Sequence, residues 1–180
     1  MQSENKKILL HSCCGICSAY PISLLKDNGY KVIVYFCNPN LDSEYEFNRR
    51  LEAQTKICEY HKVKLIIEPY NHLEYLDFIK GLENEPERGS RCDKCIELRL
   101  LQSAKKAQEL EIENFTTSLP ISPHKNFQKI VAIGQLCAEE YNTSFIPFDF
   151  KKKDGFLKTN KIAKELRIYR QNYCGCEFAK

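Results

Sequence analysis

The chain has 180 residues, of which 43% are hydrophobic and 28% charged, with a net charge of +3. That length suits one compact domain, residues 1–180, and the ordinary composition excludes collagen-like repeats, heptad arrays and wholesale disorder. No apolar run approaches the roughly 18 residues of a membrane helix. The polar opening before Ile8-Leu9-Leu10 leads into too short a run for a secretory signal, so the expectation is a cytoplasmic protein with no membrane partner.

In chain order, residues 7–11 read as a first strand and residues 18–28 as a helix stopped by Asn28-Gly29. Residues 31–37 are apolar enough for a strand buried on both faces. Asn38-Pro39-Asn40 breaks the chain, and residues 43–61 read as a helix with Ser43 as N-cap. A third strand is expected over 63–68, a short helix over 72–82, and a helix over 93–110 with Leu98, Leu101, Ala104 and Leu110 inward. A strand over 114–119, a helix over 125–141, a strand over 144–150 and a helix over 159–169 complete the series. Strands alternating with helices predict an α/β fold: a three-layer, Rossmann-like, mostly parallel five-stranded sheet with helices on both faces. Ligands of such sheets bind beyond the carboxyl ends of the strands.

Charge is uneven. Residues 151–180 carry nine Lys or Arg against three acids, which predicts an anionic partner for this basic C-terminal segment; a solvated Lys-rich surface is the alternative.

Ten cysteines are the unusual feature. A secreted disulfide scaffold is normally shorter and carries a leader, so clustered cysteines here point to metal or redox chemistry. Cys37, Cys58 and Cys137 fall within apolar or helical segments and read as buried small hydrophobes. The other seven form three groups: Cys13-Cys14-Gly15-Ile16-Cys17, Cys92-Asp93-Lys94-Cys95 and Cys174-Gly175-Cys176. The first follows a strand and opens a helix, where the helix dipole favours thiolates and anions. Zinc would take two C-x-x-C pairs, and adjacent Cys13 and Cys14 are expected to aim poorly at one small ion. A [4Fe–4S] cluster relaxes that demand because each thiolate binds a different iron. From the residues alone, cluster, zinc and dithiol redox site all stay open. Cys174 and Cys176, one residue apart, would close only a small, strained ring, suited to a redox switch or to a second ligand pair.

Several motifs in one order resemble the cobalamin-independent epoxyqueuosine reductases: His11-Ser12-Cys13-Cys14-Gly15, Glu87-Arg88-Gly89 with Arg91-Cys92 and Cys95, Thr116-Thr117-Ser118-Leu119, Ser122-Pro123-His124-Lys125-Asn126, Phe148-Asp149-Phe150-Lys151-Lys152, and Ile168-Tyr169-Arg170-Gln171 with Tyr173-Cys174-Gly175-Cys176. The resemblance runs over residues 8–178. Five strands and the loop after the first of them already suggest a variant of the adenine nucleotide alpha hydrolase fold; the resemblance implies a reaction that reduces the epoxide of epoxyqueuosine to an alkene at the wobble position of tRNA. It implies Cys13, Cys14, Cys92 and Cys95 as [4Fe–4S] ligands and Cys174 with Cys176 as a redox-active pair. An adjacent mononuclear iron with an acidic ligand is also implied, for which Asp93 and Asp149 are local candidates. Epoxide to alkene plus water takes two electrons and two protons, so a second redox or Lewis-acid element beside a one-electron cluster is consistent, as is an external electron donor. His11 and His124 are candidate proton donors. Lys125, Tyr169, Arg170 and Tyr173 are candidate substrate contacts, with Lys151, Lys152, Lys153 and Lys158 toward phosphates. Two other readings compete: an iron–sulfur tRNA thiolase of the ATP-pyrophosphatase type, whose Ser-Gly-Gly-x-Asp-Ser loop is replaced here by Ser12-Cys13-Cys14-Gly15-Ile16-Cys17-Ser18, and a zinc-stabilised RNA-binding module.

Overall fold

The computed structural model describes residues 6–179. Strand β1 (Lys6–Ser12) leads into helix α1 (Gly15–Asp27), β2 (Tyr30–Phe36), α2 (Glu44–His61) and β3 (Lys64–Ile67). Helices α3 (His72–Phe78) and α4 (Ser90–Glu109) precede β4 (Asn114–Thr117), α5 (Phe127–Glu140), β5 (Ser144–Phe145) and α6 (Gly155–Glu165). All strand pairs are parallel, in the order β3-β2-β1-β4-β5.

Parallel strands need long crossovers, and here the helices supply them on both sides. β1 shows the division residue by residue. Ile8 and Leu10 pack with Ile22, Leu25 and Ile57 of α1 and α2, joined by Ala163 of α6. Leu9 faces the other way, toward Leu100 and Ala104 of α4 and Ile130 of α5. Alternate side chains of a central strand thus feed two cores, which is why the run is apolar without a break. Gly15 lets α1 lie close against α2, since a Cβ there would come within 2.7 Å of the Ala53 backbone.

β1 is the central strand, and the chain departs to β2 on one side and to β4 on the other. The carboxyl ends of β1 and β4 therefore flank the point where strand order reverses, the usual crevice for a ligand. Among the described residues, no helix is long and apolar enough to cross a membrane.

Several boundaries differ from expectation. α1 begins at Gly15, three residues before the expected start, so Cys17 is helical. Ser43 does cap α2, accepting from Glu46 N. The strand expected over 144–150 pairs only at Ser144–Phe145; Ile146 N gives one more bond to Phe115 O, and Pro147 has no N–H to continue. The last helix starts at Gly155 and ends at Glu165, with Arg167 at a left-handed φ of 51° beyond it. Leu110, expected inward, lies past the end of α4 and is exposed.

Candidate metal centre

The end of β1 delivers the first cysteines. Cys14 is the N-cap residue of α1 in an extended conformation, with no side-chain cap, so free N–H groups of the first turn face the same region as the thiols. Buried polar contacts fix this corner: Ser12 Oγ donates to Cys14 O and Gln54 Oε1, and Gln54 Nε2 donates to Ser18 Oγ. Cys13 and Cys14 Sγ lie 3.8 Å apart, Cys14 and Cys17 Sγ 3.1 Å, and the three sulfurs all fall within 4.8 Å of one another. Thiolates about 2.3 Å from one tetrahedral ion are about 3.8 Å from each other. The adjacent pair therefore does aim at one place, contrary to expectation.

Across the crevice stands the start of α4. Cys92 and Cys95 are one helical turn apart, near its N-terminus. Cys92 Sγ accepts from Arg88 N at 3.2 Å. A cavity of about 870 Å³ opens between the two segments, and its wall includes Cys13, Cys17, Cys92 and Cys174. Cys14, Cys95 and Cys176 are buried outside that wall. Cys95 packs in one small cluster with Cys174, Cys176, Tyr75 and Leu98.

The C-terminal segment is held by α2. Arg50 Nη1 and Nη2 donate to the carbonyls of Cys174 and Tyr173, each at 3.0 Å, and Nε pairs with Glu46 at 2.7 Å. Tyr169 OH donates to the same Glu46 carboxylate, and Asp42 N donates to Gly175 O. Gly175 adopts φ +102°, and a Cβ there would lie 3.0 Å from the Arg50 guanidinium. Only glycine suits a left-handed residue in such a space. The pair it separates is asymmetric: Cys174 lines the cavity, whereas buried Cys176 lies 3.1 Å from Tyr75 OH.

Charge is concentrated on few sulfurs. Hydrogen bonds from Cys14 and Cys17 hold Cys13 well below the ordinary thiol range, and buried Arg99 adds to this. The counterpart is that Cys14 is pushed up to about 12 and Cys17 is raised, each mainly by its bond with Cys13. Cys174 falls to about 5, first through its bond from Cys176, then through backbone, Lys125 and Arg99 contributions, while Cys176 is raised. Burial raises Cys37, Cys58 and Cys137 to about 12, 11 and 12, as suits inert core thiols. Soft thiolates at these spacings, on a positive helix end and beside a buried guanidinium, fit iron bound through sulfur.

The other expected residues divide. His124, Lys125, Arg170 and Tyr173 line the cavity. His124 Nδ1 accepts from Arg88 Nη2, and Arg170 donates to Asn160 Oδ1. His11 does not reach the cavity: it is fully buried, Nε2 donates to Cys37 O, and Nδ1 is left to accept from Thr117 Oγ1. Burial lowers it to about 4, so it is neutral and structural, an inward residue of β1 rather than a substrate contact. Tyr169 also lies outside the wall, its ring under Arg49 at 3.7 Å and its hydroxyl on Glu46. Asp93 is in the wall but is paired with Lys129; Asp149 is not, and it accepts from Lys151 N. Sequence reasoning missed Arg50 and Gln171, whose partners lie over 120 positions away, and gave Cys17 no ligand role although its C-x-x-C spacing from Cys14 was visible.

Residues 8–180 match the family model described as epoxyqueuosine reductase QueH. The chain belongs to the QueH family of epoxyqueuosine reductases. It is an oxidoreductase with epoxyqueuosine reductase activity. A QueH from Streptococcus pyogenes serotype M1 is 38% identical over 99% of this chain and 72% of the relative, and one from Staphylococcus epidermidis is 37% identical over 98% and 77%. Among solved structures, a U34-tRNA thiolase from Methanococcus maripaludis with its [4Fe–4S] cluster superposes with a TM-score of 0.61 at 16% identity, covering 98% of this chain and 62% of that one. That likeness establishes the fold of this QueH chain.

Proposed function

We propose that this chain reduces the epoxide of epoxyqueuosine in the tRNA anticodon loop to the alkene of queuosine, using a [4Fe–4S] cluster held by Cys13, Cys14, Cys92 and Cys95. The observation that carries the reading is the shared cavity: Cys13 and Cys92, 79 positions apart in sequence, stand in one wall beside Cys174. When bound, the cluster would supply electrons one at a time. The chain's own residues supply the rest. Cys174, the member at the wall and the one held as thiolate, and Cys176, still a thiol, can release two electrons and one proton on closing a disulfide, so the second proton comes from another group, with an external donor restoring the reduced pair. Of the two candidate histidines, His124 is the one in the cavity wall, which supports it as the proton donor to the epoxide oxygen. Should a single iron sit beside the cluster, Cys17 is the donor at hand next to Cys14, a thiolate where the family resemblance implies a carboxylate.

Arg88, Lys125 and Arg170 make the mouth of the cavity cationic, as a polyanionic substrate requires. A base splayed from the anticodon loop would meet the Tyr173 ring there. Nucleoside mass spectrometry of tRNA from cells lacking this gene tests the reading. Epoxyqueuosine should accumulate and return to queuosine on complementation. Unchanged queuosine, in cells with no second epoxyqueuosine reductase, would overturn it.

A further inference from the structure

Residues 166–176 bring one amide to the cysteine trio. Gln171 Nε2 donates to Cys14 Sγ at 2.7 Å, although the two residues are 157 positions apart. A thiolate bound to metal has no proton to give and can only accept, so the amide N–H is the end of Gln171 that serves it. The other end, Oε1, is buried and has no hydrogen-bond partner among the described residues. An unpaired interior acceptor is unfavourable, so this side chain is not placed to satisfy its own polar atoms. What its position does satisfy is the sulfur.

Among the described residues, no other N–H or O–H group donates to Cys14 Sγ. The other sulfur contacts of Cys14 Sγ among these residues are with Cys13 and Cys17, thiols that lose their protons on binding iron. Arg50, whose charge acts on Cys14, has Nε on Glu46 and Nη1 and Nη2 on the Cys174 and Tyr173 carbonyls.

We infer that Gln171 is a positioning residue that sets the reduction potential of the iron–sulfur centre through Cys14. An N–H directed at a ligand sulfur stabilises the electron-rich, reduced state more than the oxidised one, and so raises the potential. The same contact ties the segment carrying Cys174 to the centre that Cys174 faces. This rests on the cluster reading above, and the experiment separates the two.

The full chain, reconstituted anaerobically, is compared with Gln171→Met and Gln171→Glu by iron and sulfide analysis and by a redox titration followed by electron paramagnetic resonance. Gln171→Met removes the donor, and Gln171→Glu keeps the shape but replaces the N–H with an anionic acceptor. Both should retain iron and sulfide. At fixed potential, the reduced-to-oxidised ratio should fall about tenfold in Gln171→Met, a midpoint shift of about 59 mV to more negative values for a one-electron couple. Gln171→Glu should shift further in the same direction. Equal midpoints in all three proteins, with iron and sulfide retained, would overturn the inference and leave the cluster reading standing. Iron lost from folded variants would also overturn it, because the side chain would then hold the centre rather than tune it. A wild-type chain without iron and sulfide would remove both.

Discussion

Arg50→Met tests what holds the Cys174-Gly175-Cys176 segment in place. The Arg50 side chain is almost wholly buried; it pairs with Glu46 at 2.7 Å and donates to the carbonyls of Tyr173 and Cys174. Methionine fills much of the same volume, so packing changes little. What is lost is two charged hydrogen bonds to the tail and the counter-ion of a buried carboxylate. Removing one partner of a buried pair typically costs about 3–5 kcal/mol, since the other charge stays behind unpaired. At about 2–4 °C per kcal/mol for a chain of this size, the metal-free protein should melt well below wild type. Urea denaturation gives the free energy, and alkylation of Cys174 followed by peptide mass spectrometry reports on the tail. The double variant Glu46→Gln/Arg50→Met removes the stranded charge and should recover part of the loss. A loss under about 1 kcal/mol for Arg50→Met, with Cys174 alkylation unchanged, would refute the clamp, because surface pairs alone contribute that little.

Gly175→Ala places a Cβ at φ +102° against Arg50, a backbone state that costs a non-glycine residue about 1–3 kcal/mol; hydrogen exchange should quicken at residues 171–179 and not in the sheet, and unchanged protection would count against the account. His61, buried and donating to Ala19 O, has its pKa lowered by burial. The unfolded chain therefore binds more protons as pH falls below the ordinary histidine range, and stability should drop on acidification there. His61→Gln should flatten that slope in urea titrations at stepped pH, and an unaltered slope would contradict the assignment. Lys152, Lys153 and Lys158 are exposed on the basic segment. Binding to tRNA should weaken steeply with salt, and Lys158→Ala should reduce the log–log slope by about one contact; a salt-insensitive interaction would remove the phosphate role.

The architecture was legible because its signals are local. Ile8-Leu9-Leu10 and the Val32–Phe36 stretch carry unbroken apolar runs, and Ser43 sits where a helix needs a cap. The cysteine groups were visible as spacing, and their position after β1 followed from the alternation of strands and helices. The edges of the sheet were less legible. Residues 146–150 look like a strand, yet pairing ends where Pro147 breaks the ladder, and among the described residues no strand lies beyond β5. Cys14 as an extended N-cap was hidden too, since Gly15 near a helix start reads as loop until its close approach to Ala53 is known. Arg50 and Gln171 act on cysteines that only tertiary folding brings near, as does Arg99 on Cys13, so periodicity carries no trace of those contacts. His11 is the opposite case. Its neighbours in sequence belong to the centre, but alternation along β1 turns its ring inward to Cys37 and Thr117.

The most direct test of a centre shared by two distant segments is iron and acid-labile sulfide analysis of the anaerobically purified protein, with Cys13→Ser, Cys92→Ser and Cys58→Ser beside it. Wild type and Cys58→Ser should hold iron and sulfide in equal amounts, four of each for a [4Fe–4S] centre. Cys13→Ser and Cys92→Ser should each lose most of both. Zinc without sulfide in the wild type, or a full complement in Cys92→Ser, would contradict the account.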